Sequence, residues 1–323
     1  MSLASLLGSF CERPVLVVGD LMLDEYILGR ATRISPEAPV MVIRQQSTMS
    51  MPGGAANVAK NIIALGGSAT ILGIVGNDPA ADTLKRALAE QHIDHASLVH
   101  DPARPTTRKT RVLADHAHQV LRIDHEEETP LSEAAEADLL RQALALVDAH
   151  EAVILSDYLK GALTPNVSAR IIERAQQRGI PTVVNPKPRS VGQYVGATVL
   201  SLNRAEAGQA LERWHGLSDD DAPAAAAALK DRLGVGNMLI TLGESGLVAS
   251  GAETYRVPAP RVEVYDTAGA GDTIVATVAL GAAAKGDFRQ TLELATKAAA
   301  AVVRKVGVAT PTHEDLEEIG REP

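Results

Sequence analysis

The feature that most constrains the fold is a regular alternation of short apolar runs with longer helical spans from about residue 130 onward. The apolar runs are rich in Val, Ile and Leu, as is typical of parallel strands buried on both faces. The predicted strands are 152–156, 182–185, 198–202 and 237–241, followed by a hairpin around Ser250 and Gly251; the predicted helices are 133–148, 165–178, 221–233 and two that start near Gly271 and Phe288. Strands separated by helices form βαβ units, so the sequence predicts an α/β fold with a mostly parallel central sheet flanked by helices.

The amino-terminal part begins with the same alternation and then departs from it. The predicted elements are a buried strand at Val15–Asp20, a helix at Gly53–Leu65, a strand at Ala69–Val75 and a helix at Pro79–Gln91. Segments 24–49 and 106–123 instead have mixed, extended patterns, and the second indicates a β-hairpin with one solvated face. Together they predict a small β-sheet beside the main sheet, which we call the lid.

Length and composition favour one domain. A chain of 323 residues with 46% hydrophobic residues can bury a large core. Only 2% of the residues are aromatic, so this core must consist mainly of Ala, Val, Leu and Ile. We therefore expect a single domain covering residues 1–323, to which the lid is attached.

Charge and cysteine content exclude several classes of protein. The formal net charge is −9, which argues against nucleic-acid binding through phosphate contacts. The single cysteine, Cys11, cannot form an intramolecular disulfide and fits a reducing compartment. No apolar run approaches the ~20 residues needed to cross a bilayer, and residues 1–14 lack the pattern of a secretory signal. These observations predict a cytoplasmic protein without a membrane partner.

The strongest chemical motif is Asp266–Thr273, with the sequence Asp-Thr-Ala-Gly-Ala-Gly-Asp-Thr. Gly269 and Gly271 let the backbone turn and approach a ligand, and the following helix presents unpaired amides and the positive end of its dipole. Such a site suits a phosphoryl group, and Asp272 at its mouth could accept a hydroxyl proton. Taken alone, Gly-x-Gly-Asp is better explained as an aspartate at a helix start. Ile274 replaces the third glycine of a dinucleotide fingerprint, and no Walker A sequence occurs.

Two further groups of polar residues lie near predicted element boundaries. Gly53 and Gly54 open a helix that carries Asn57 on its first turn, an arrangement in which a polyol could contact the backbone and the amide side chain. Close packing of that helix on the sheet explains the small residues about as well. Asp20 and Asp24 follow the first strand, where open α/β folds bind ligands and where carboxylates can accept hydrogen bonds from sugar hydroxyls. For Asp24 a solvated loop is an equally simple interpretation.

Asn203 and Glu206 form the fourth group. They are three residues apart at the start of a short helix, so they share one face and could orient water around a magnesium ion. Taken alone, the pair is better explained as a capping box, in which Asn and Glu satisfy each other's backbone amides.

Taken together, these motifs resemble the ribokinase-like (pfkB) carbohydrate kinase family. Gly53–Asn57 is similar to the amino-terminal signature of that family, and Asp266–Thr273 to its carboxyl-terminal signature. Both occur in the expected order, and the resemblance runs from about Pro14 to Thr312. It implies a three-layer ribokinase-like fold with a small β-lid over the sugar.

Other segments resemble the subgroup that phosphorylates D-glycero-β-D-manno-heptose 7-phosphate. They are Arg33–Val40, Lys109–Val112, Gln119–Asp124, Ser156–Gly161 and Asn185–Lys187. This subgroup is often fused to a nucleotidyltransferase domain, and the present chain resembles its free-standing kinase form. The resemblance implies transfer of phosphate from ATP to the anomeric hydroxyl, which yields the 1,7-bisphosphate of lipopolysaccharide heptose synthesis.

The resemblance also implies roles for individual residues. Asp272 would be the general base, and the amides of Ala268 to Gly271, which include those of Gly269 and Ala270, would form an anion hole. Asp20, Asp24, Gly53, Gly54 and Asn57 would hold the sugar. Asn203 and Glu206 would lie near the ATP phosphates and Mg²⁺, with Glu206 the candidate metal ligand, and Thr241, Gly243 and Gly246 would line the nucleotide side.

Two positions depart from the subgroup. Asn185 and Pro188 stand where the subgroup has Asp and Gly, so a carboxylate is replaced by an uncharged amide. Ala268 stands where Thr is frequent, and a contact through the backbone amide would be unaffected.

The phosphate of the sugar requires cations. Guanidinium and ammonium groups bind phosphate strongly, so we expect some of the lid and loop cations to converge on it. The candidates are Arg33, Lys109, Arg111, Arg122 and Lys187. For any one of them, a role in keeping the small sheet soluble is about as good an explanation.

Several alternatives stay open. Another sugar kinase of the same family, acting on ribose, fructose phosphate or a nucleoside, fits most of the same motifs. A non-catalytic sugar- or nucleotide-sensing protein on this scaffold is disfavoured by Asp272, and a nicotinamide-dependent oxidoreductase by the missing fingerprint. Because open β-lids leave strand edges that pair between subunits, we expect a homodimer formed through the lid.

Overall fold

The computed structural model describes residues 2–115, 118–127, 129–213, 216–305 and 307–321. Its main sheet has eight strands in the order β14-β13-β12-β11-β10-β9-β1-β4. The strands from β12 to β4 in this order are parallel, and β13 and β14 continue the sheet antiparallel at one edge. The strands of this sheet are β1 (Pro14–Gly19), β4 (Ser68–Leu72), β9 (Ala152–Ser156), β10 (Thr182–Asn185), β11 (Val199–Asn203), β12 (Asn237–Thr241), β13 (Leu247–Ser250) and β14 (Thr254–Val257).

Helices cover both faces of this sheet, which confirms the predicted α/β fold. Apolar side chains of α1, α2, α3, α8, α9 and α10 form one buried cluster with one face, and those of α4, α5, α6 and α7 form a second cluster with the other face. The helices are α1 (Leu3–Gly8), α2 (Ala55–Ala64), α3 (Pro79–Glu90), α4 (Glu133–Val147), α5 (Pro165–Arg178), α6 (Arg204–Ala210), α7 (Ala222–Leu233), α8 (Ala270–Ala283), α9 (Phe288–Val303) and α10 (His313–Arg321).

The lid is a four-stranded sheet in the order β3-β2-β7-β8. Its strands are β2 (Leu21–Ile34), β3 (Met41–Gly54), β7 (Arg108–Ala114) and β8 (His118–His125). Strand β2 starts two residues after β1 ends, so the lid grows directly from the carboxyl end of a central strand. In the sequence, His116 and Ala117 come between β7 and β8, and they lie outside the described residues.

Two predictions of element bounds were wrong. Gly53 and Gly54 end strand β3 and pair with Met22 and Leu21, so the helix begins at Ala55 and not at Gly53. The predicted strand Ala69–Val75 is interrupted at Gly73, where a Cβ atom would lie 2.5 Å from the Gly19 carbonyl oxygen. Its second part is β5 (Ile74–Val75), which pairs with β6 (Val99–His100) in a separate two-stranded sheet.

Two helices were not predicted: α1 and α10, at the two ends of the described chain, pack on each other and on α9. Among the described residues, the helices are all too short or too polar to cross a membrane.

Candidate active site

A small cavity of about 150 Å³ opens at the carboxyl ends of the parallel strands. This edge is where open α/β sheets bind ligands, because loops and helix starts from successive strands meet there. The cavity brings together most of the polar residues singled out in the sequence. It is lined by Tyr158, Asn185, Lys187, Ser201, Leu202, Asn203, Glu206, Thr241, Gly269, Gly271 and Asp272.

A larger hollow of about 630 Å³ lies on the outer part of the lid sheet. Its polar side chains, Arg30, Gln46 and Asp115, are exposed to solvent. The smaller cavity instead contains a buried carboxylate beside a helix start. Since a desolvated ionisable group is the better indicator of chemistry, the active-site candidate is the smaller cavity.

Asp272 is the central residue of the cavity. It is the third residue of α8 and lies on the first turn of that helix. Gly269 precedes the helix, and its φ of 86° turns the chain into it. The Asp272 side chain is buried and accepts two hydrogen bonds: Asn57 Nδ2 donates to Oδ2 at 2.5 Å, and the Tyr158 hydroxyl donates to Oδ1 at 3.0 Å. Burial raises the pKa of Asp272, and the two donors oppose that shift. A carboxylate with a raised pKa is a better proton acceptor.

The backbone beside Asp272 forms the positive end of α8. Gly269, Ala270 and Gly271 precede it, and amides in the first turn of a helix lack partners within the helix. Just before the helix, Ala268 N donates to Asp266 Oδ1 at 2.9 Å, and Ala270 N makes a long hydrogen bond of 3.4 Å to the Thr267 carbonyl oxygen. At Gly271 a Cβ atom would meet no other atom within 4 Å, so this side of the turn faces open space. The arrangement can bind an anion next to the carboxylate.

Helices α2 and α8 are locked together beside this carboxylate. Asn61 Nδ2 donates to the Asn57 carbonyl oxygen at 2.9 Å, and the Thr273 hydroxyl donates to Asn61 Oδ1 at 2.7 Å. These bonds fix the side of α2 that carries Asn57. The other side-chain atom of that amide, Asn57 Oδ1, is buried and has no hydrogen-bond partner within the described structure. An orphaned acceptor of this kind calls for a donor from a ligand or water.

Asp24 and Gly53 approach each other across the β2–β3 pair at the base of the lid. A Cβ atom at position 53 would lie 2.0 Å from Asp24 Oδ2, so any larger residue there would displace the Asp24 carboxylate. The buried Asp24 accepts a hydrogen bond from Arg111 through its other oxygen, and the Arg111 guanidinium lies 5.3 Å from the centre of the Tyr26 ring. Asp24 Oδ2 therefore stays close to the strand end where a substrate would meet Gly53 and Gly54.

Asp20 has a different environment from the one expected. It is 2% exposed and accepts three backbone hydrogen bonds, from the amides of Tyr158 (2.7 Å), Lys160 (2.9 Å) and Ala162 (2.9 Å). Burial raises its pKa to about 6, although these amides oppose the shift. The carboxylate expected to bind a sugar thus anchors the loop 157–162.

Asn203 and Glu206 form the capping box that the sequence favoured. Glu206 N donates to Asn203 Oδ1 at 2.9 Å, and Asn203 N donates to Glu206 Oε2 at 3.0 Å. Both also line the cavity, and Lys187 Nζ lies 2.8 Å from Glu206 Oε1. Capping holds the Glu206 carboxylate at the cavity wall.

Thr241 lines the cavity at the end of β12, on the side next to Asn203. The turn that follows contains Gly243 and Gly246, with φ of 63° and 86°. At Gly246 a Cβ atom would lie 2.1 Å from the Val257 carbonyl oxygen, so this glycine is required by the close approach of β14.

The cations expected to bind the sugar phosphate do not converge on one place, and of the five, Lys187 alone lines the cavity as described. Four of the five already have a carboxylate partner. Lys109 and Arg122 meet at Asp124 (3.0 and 2.8 Å), Arg111 pairs with Asp24, Lys187 pairs with Glu206, and Arg33 is exposed on β2.

The residue that sequence reasoning missed is Tyr158. It received no role, although it lies in Ser156–Gly161, one of the segments that carried the resemblance. The available signal was its position two residues after the end of β9, at the same sheet edge as the other site residues. The contact with Asp272 depends on tertiary packing and could not be inferred from spacing.

Comparison with solved structures places the fold among sugar kinases. Phosphofructokinase-2 from Escherichia coli superposes with a TM-score of 0.78 at 22% identity, covering 96% of this chain and 98% of that one. Arabidopsis thaliana ribokinase, solved with ribose and ATP, superposes with a TM-score of 0.74 at 18% identity, covering 97% and 100%. These likenesses show the fold of the chain, which is a ribokinase-like α/β fold.

The sequence profile of the pfkB family of carbohydrate kinases matches residues 13–315, and the chain belongs to that family. Among curated relatives, the bifunctional protein HldE of Caulobacter vibrioides is 42% identical over 98% of this chain and 65% of its own length. HldE of Nitrobacter hamburgensis is 42% identical over 96% of this chain and 64% of its own length. The chain thus spans less than two thirds of the curated relatives it matches.

Proposed function

We propose that this protein transfers the terminal phosphate of ATP to the anomeric hydroxyl of D-glycero-D-manno-heptose 7-phosphate, with Asp272 as the general base. The observation that carries the proposal is the buried Asp272 carboxylate, held by two neutral donors beside the amino terminus of α8. The choice of sugar rests on the segments that resemble heptose 7-phosphate kinases. ATP as the donor places the reaction in the cytoplasm.

In this proposal Asp272 accepts the proton of the attacking hydroxyl while the amides of Gly269, Ala270 and Gly271 hold the transferring phosphoryl group. The positive end of α8 stabilises the charge that develops on that group. Asn57 and Tyr158 hold both carboxylate oxygens, so the base is oriented before the sugar arrives. Closure of the lid over the sugar excludes water and suppresses hydrolysis of ATP.

The sugar would lie over Gly53 and Gly54 at the base of the lid. Asn57 Oδ1 has no hydrogen-bond partner among the described residues and is a ready acceptor for a sugar hydroxyl. Asp24 Oδ2 offers a second acceptor. Asp20 supports this site indirectly, by holding the loop that carries Tyr158.

The nucleotide phosphates would lie beside Asn203, Glu206 and Lys187, with Thr241, Gly243 and Gly246 on the nucleotide side. Mg²⁺ commonly binds through one or two carboxylates together with water and substrate phosphates. No group of three His, Cys, Asp or Glu side chains suited to a metal occurs in the described part of the chain. The single carboxylate of Glu206 therefore fits an ion that arrives with the nucleotide, whose role is to neutralise charge on the phosphates.

The 7-phosphate of the sugar would be bound by lid cations. Lys109 and Arg122 share Asp124, and Lys109 also lies 3.2 Å from Glu126. A phosphate with greater negative charge could replace these carboxylates as the partner.

The proposal is tested by measuring ADP release with a set of sugars at saturating ATP. We expect heptose 7-phosphate to give the highest kcat/KM, fructose 6-phosphate a much lower value and ribose the lowest, because the last lacks a phosphate. Asp272→Asn, purified identically, corrects for contaminating kinases. A preference for ribose or fructose 6-phosphate would assign another sugar within the family, and no ADP release with any sugar would contradict the function.

We further propose that the protein is a homodimer formed through the lid. In the lid sheet, β3 and β8 are edge strands, and β8 exposes Leu121 and Ile123 (52% each) on one face. Exposed apolar side chains beside an unpaired edge are typical of a surface that pairs with another subunit.

Charges at these two positions should break the dimer. For Leu121→Asp with Ile123→Asp we expect sedimentation as a monomer at micromolar concentration, whereas the unmodified protein sediments as a dimer. Val195→Asp is the control, because Val195 is also exposed (61%) but lies outside the lid. A monomeric unmodified protein, or a lid variant that stays dimeric, would disprove this interface.

A further inference from the structure

Tyr158 joins several parts of the site through one residue. Its hydroxyl donates to Asp272 Oδ1 at 3.0 Å. Its ring lies beneath Lys187, with Nζ 5.1 Å from the ring centre. Its backbone amide donates to Asp20 Oδ2 at 2.7 Å. A tyrosine held at both its ring and its backbone has little freedom to move its hydroxyl away from the carboxylate.

The loop that carries Tyr158 is built around the buried Asp20 carboxylate. Amides of alternate residues, 158, 160 and 162, all donate to it, and Leu159 between them has a φ of 59°. Such a conformation is unfavourable for leucine, so it persists only because its surroundings hold it. A carboxylate is well suited to that task because each of its oxygens can accept more than one hydrogen bond.

The same loop is tied to the lid. Lys160 Nζ lies 2.7 Å from Glu126 Oε1, and Lys109 on β7 lies 3.2 Å from the other oxygen of Glu126. Strand β7 pairs with β2, where Lys109 is opposite Asp24. The loop therefore connects the strand pair proposed to contact the sugar with the residue that contacts Asp272.

We propose that Tyr158 is a positioning residue that sets the orientation and the proton affinity of Asp272, and that Asp20 fixes Tyr158 through the loop 157–162. This inference rests on the proposed role of Asp272 as the base. Of the groups that face the Asp272 carboxylate, Asn57 and Tyr158 donate hydrogen bonds, Lys187 is a nearby cation and Asp24 a nearby anion. Among these groups, all within the described part of the chain, Tyr158 is the one that connects that carboxylate to the loop.

The direct test removes the hydroxyl and keeps the ring. In Tyr158→Phe the ring remains beneath Lys187, so the fold and the cation–π contact should persist. The carboxylate loses a donor that favours its ionised form, so the pKa of Asp272 should rise. We expect kcat to fall about tenfold, as for the loss of a hydrogen bond to a charged group. KM for both substrates should change less than about threefold, and the acid limb of the kcat profile should move to higher pH.

Tyr194→Phe is a matched control. The Tyr194 hydroxyl donates to Asp157 Oδ2 at 2.7 Å, so this variant removes the same atom from a buried tyrosine–aspartate pair whose aspartate is the first residue of the loop, without touching Asp272. We expect its kcat and its acid limb to match those of the unmodified protein. An equal loss in both variants would mean that Tyr158 has only a structural role, and the proposal would fail.

The role of Asp20 is tested in combination. Asp20→Asn places an amide donor against backbone donors, so the loop should loosen and kcat should fall. If both residues act through Tyr158, the double variant Asp20→Asn with Tyr158→Phe should lose little more activity than the more affected single variant. Asp20→Asn also removes the titration of Asp20 itself from the pH profile. If the loss of kcat in the double variant equalled the product of the losses in the two single variants, Asp20 would not act through Tyr158.

A measurement without substrate separates this inference from the proposed function. The carboxyl ¹³C resonance of Asp272, assigned with Asp272→Asn, reports its pKa in the free protein. We expect the pKa to rise in Tyr158→Phe and to be unchanged in Tyr194→Phe. An unchanged pKa in Tyr158→Phe would overturn the inference even if the protein is an active kinase. Inactivity with every sugar would overturn the function while leaving this readout intact.

Discussion

Asp272→Asn should fold normally and lose at least about 100-fold in kcat, the low end expected when a general base is removed. Asparagine has the same shape, so Asn57 and Tyr158 can still surround it, but it cannot accept the proton of a sugar hydroxyl. KM for ATP and for the phosphosugar should change little, because the side chain acts on proton transfer. Steady-state ADP release at saturating substrates measures the loss.

The stability of the same variant provides its control. Burial raises the pKa of Asp272, so the native state binds the proton more tightly than the unfolded chain does. The contribution of this carboxyl to stability is therefore present at low pH and lost as pH rises through its folded-state pKa. At pH 8 the free energy of unfolding of Asp272→Asn should equal or exceed that of the unmodified protein. An inactive variant that was also strongly destabilised would not support a catalytic role, and near-normal kcat would contradict it.

Gly271→Ala should reduce kcat by about 100-fold while leaving the fold intact. Apart from the backbone of its own helix turn, a methyl group at this position meets no described protein atom within 4 Å and projects into open space beside the α8 amides. If the phosphoryl group binds there, it must shift by the size of a methyl group, and a misplacement of about 1 Å can cost about 100-fold in rate. Alanine in place of glycine within a helix should raise the free energy of unfolding by up to about 1 kcal/mol.

Gly8→Ala is the matched control for that substitution. Gly8 also lies in a helix, α1, and a Cβ atom there also meets nothing within 4 Å outside the backbone of its own helix, but Gly8 is not among the residues described as lining the cavity. We expect it to retain full activity. Full activity in Gly271→Ala would exclude the phosphoryl group from the space beside Gly271, and an equal loss in both variants would point to a general effect of the substitution.

The sequence predicted the architecture well where local patterns coincide with tertiary structure. The runs at 152–156, 182–185 and 237–241 match β9, β10 and β12 to the residue, because central parallel strands are apolar on both faces and end sharply. The two glycine motifs identified elements that meet in space, since Asn57 and Asp272 form a hydrogen bond. The two motifs, which are far apart in the sequence, thus correctly indicated residues of the same site.

The sequence was less informative where long-range pairing decides the structure. Strand β3 runs through Gly53 and Gly54 because β2 pairs with it along its whole length, whereas glycines after an extended stretch suggested a helix start. A carboxylate after a strand was expected at the substrate, but Asp20 binds amides that lie about 140 positions later in the chain. Neither contact has a local pattern, and the same is true of Tyr158.

The central claim is that the Asp272 carboxylate and the amides of α8 transfer a phosphoryl group to the anomeric oxygen of a phosphosugar. The most direct measurement is ³¹P NMR of the product formed from ATP and heptose 7-phosphate. We expect the signals of ADP and a second sugar phosphate signal that is coupled to the anomeric proton. In the same reaction time, Asp272→Asn should give neither the ADP signals nor the new sugar phosphate signal. A new phosphate coupled to any other sugar proton, or inorganic phosphate alone, would contradict the claim.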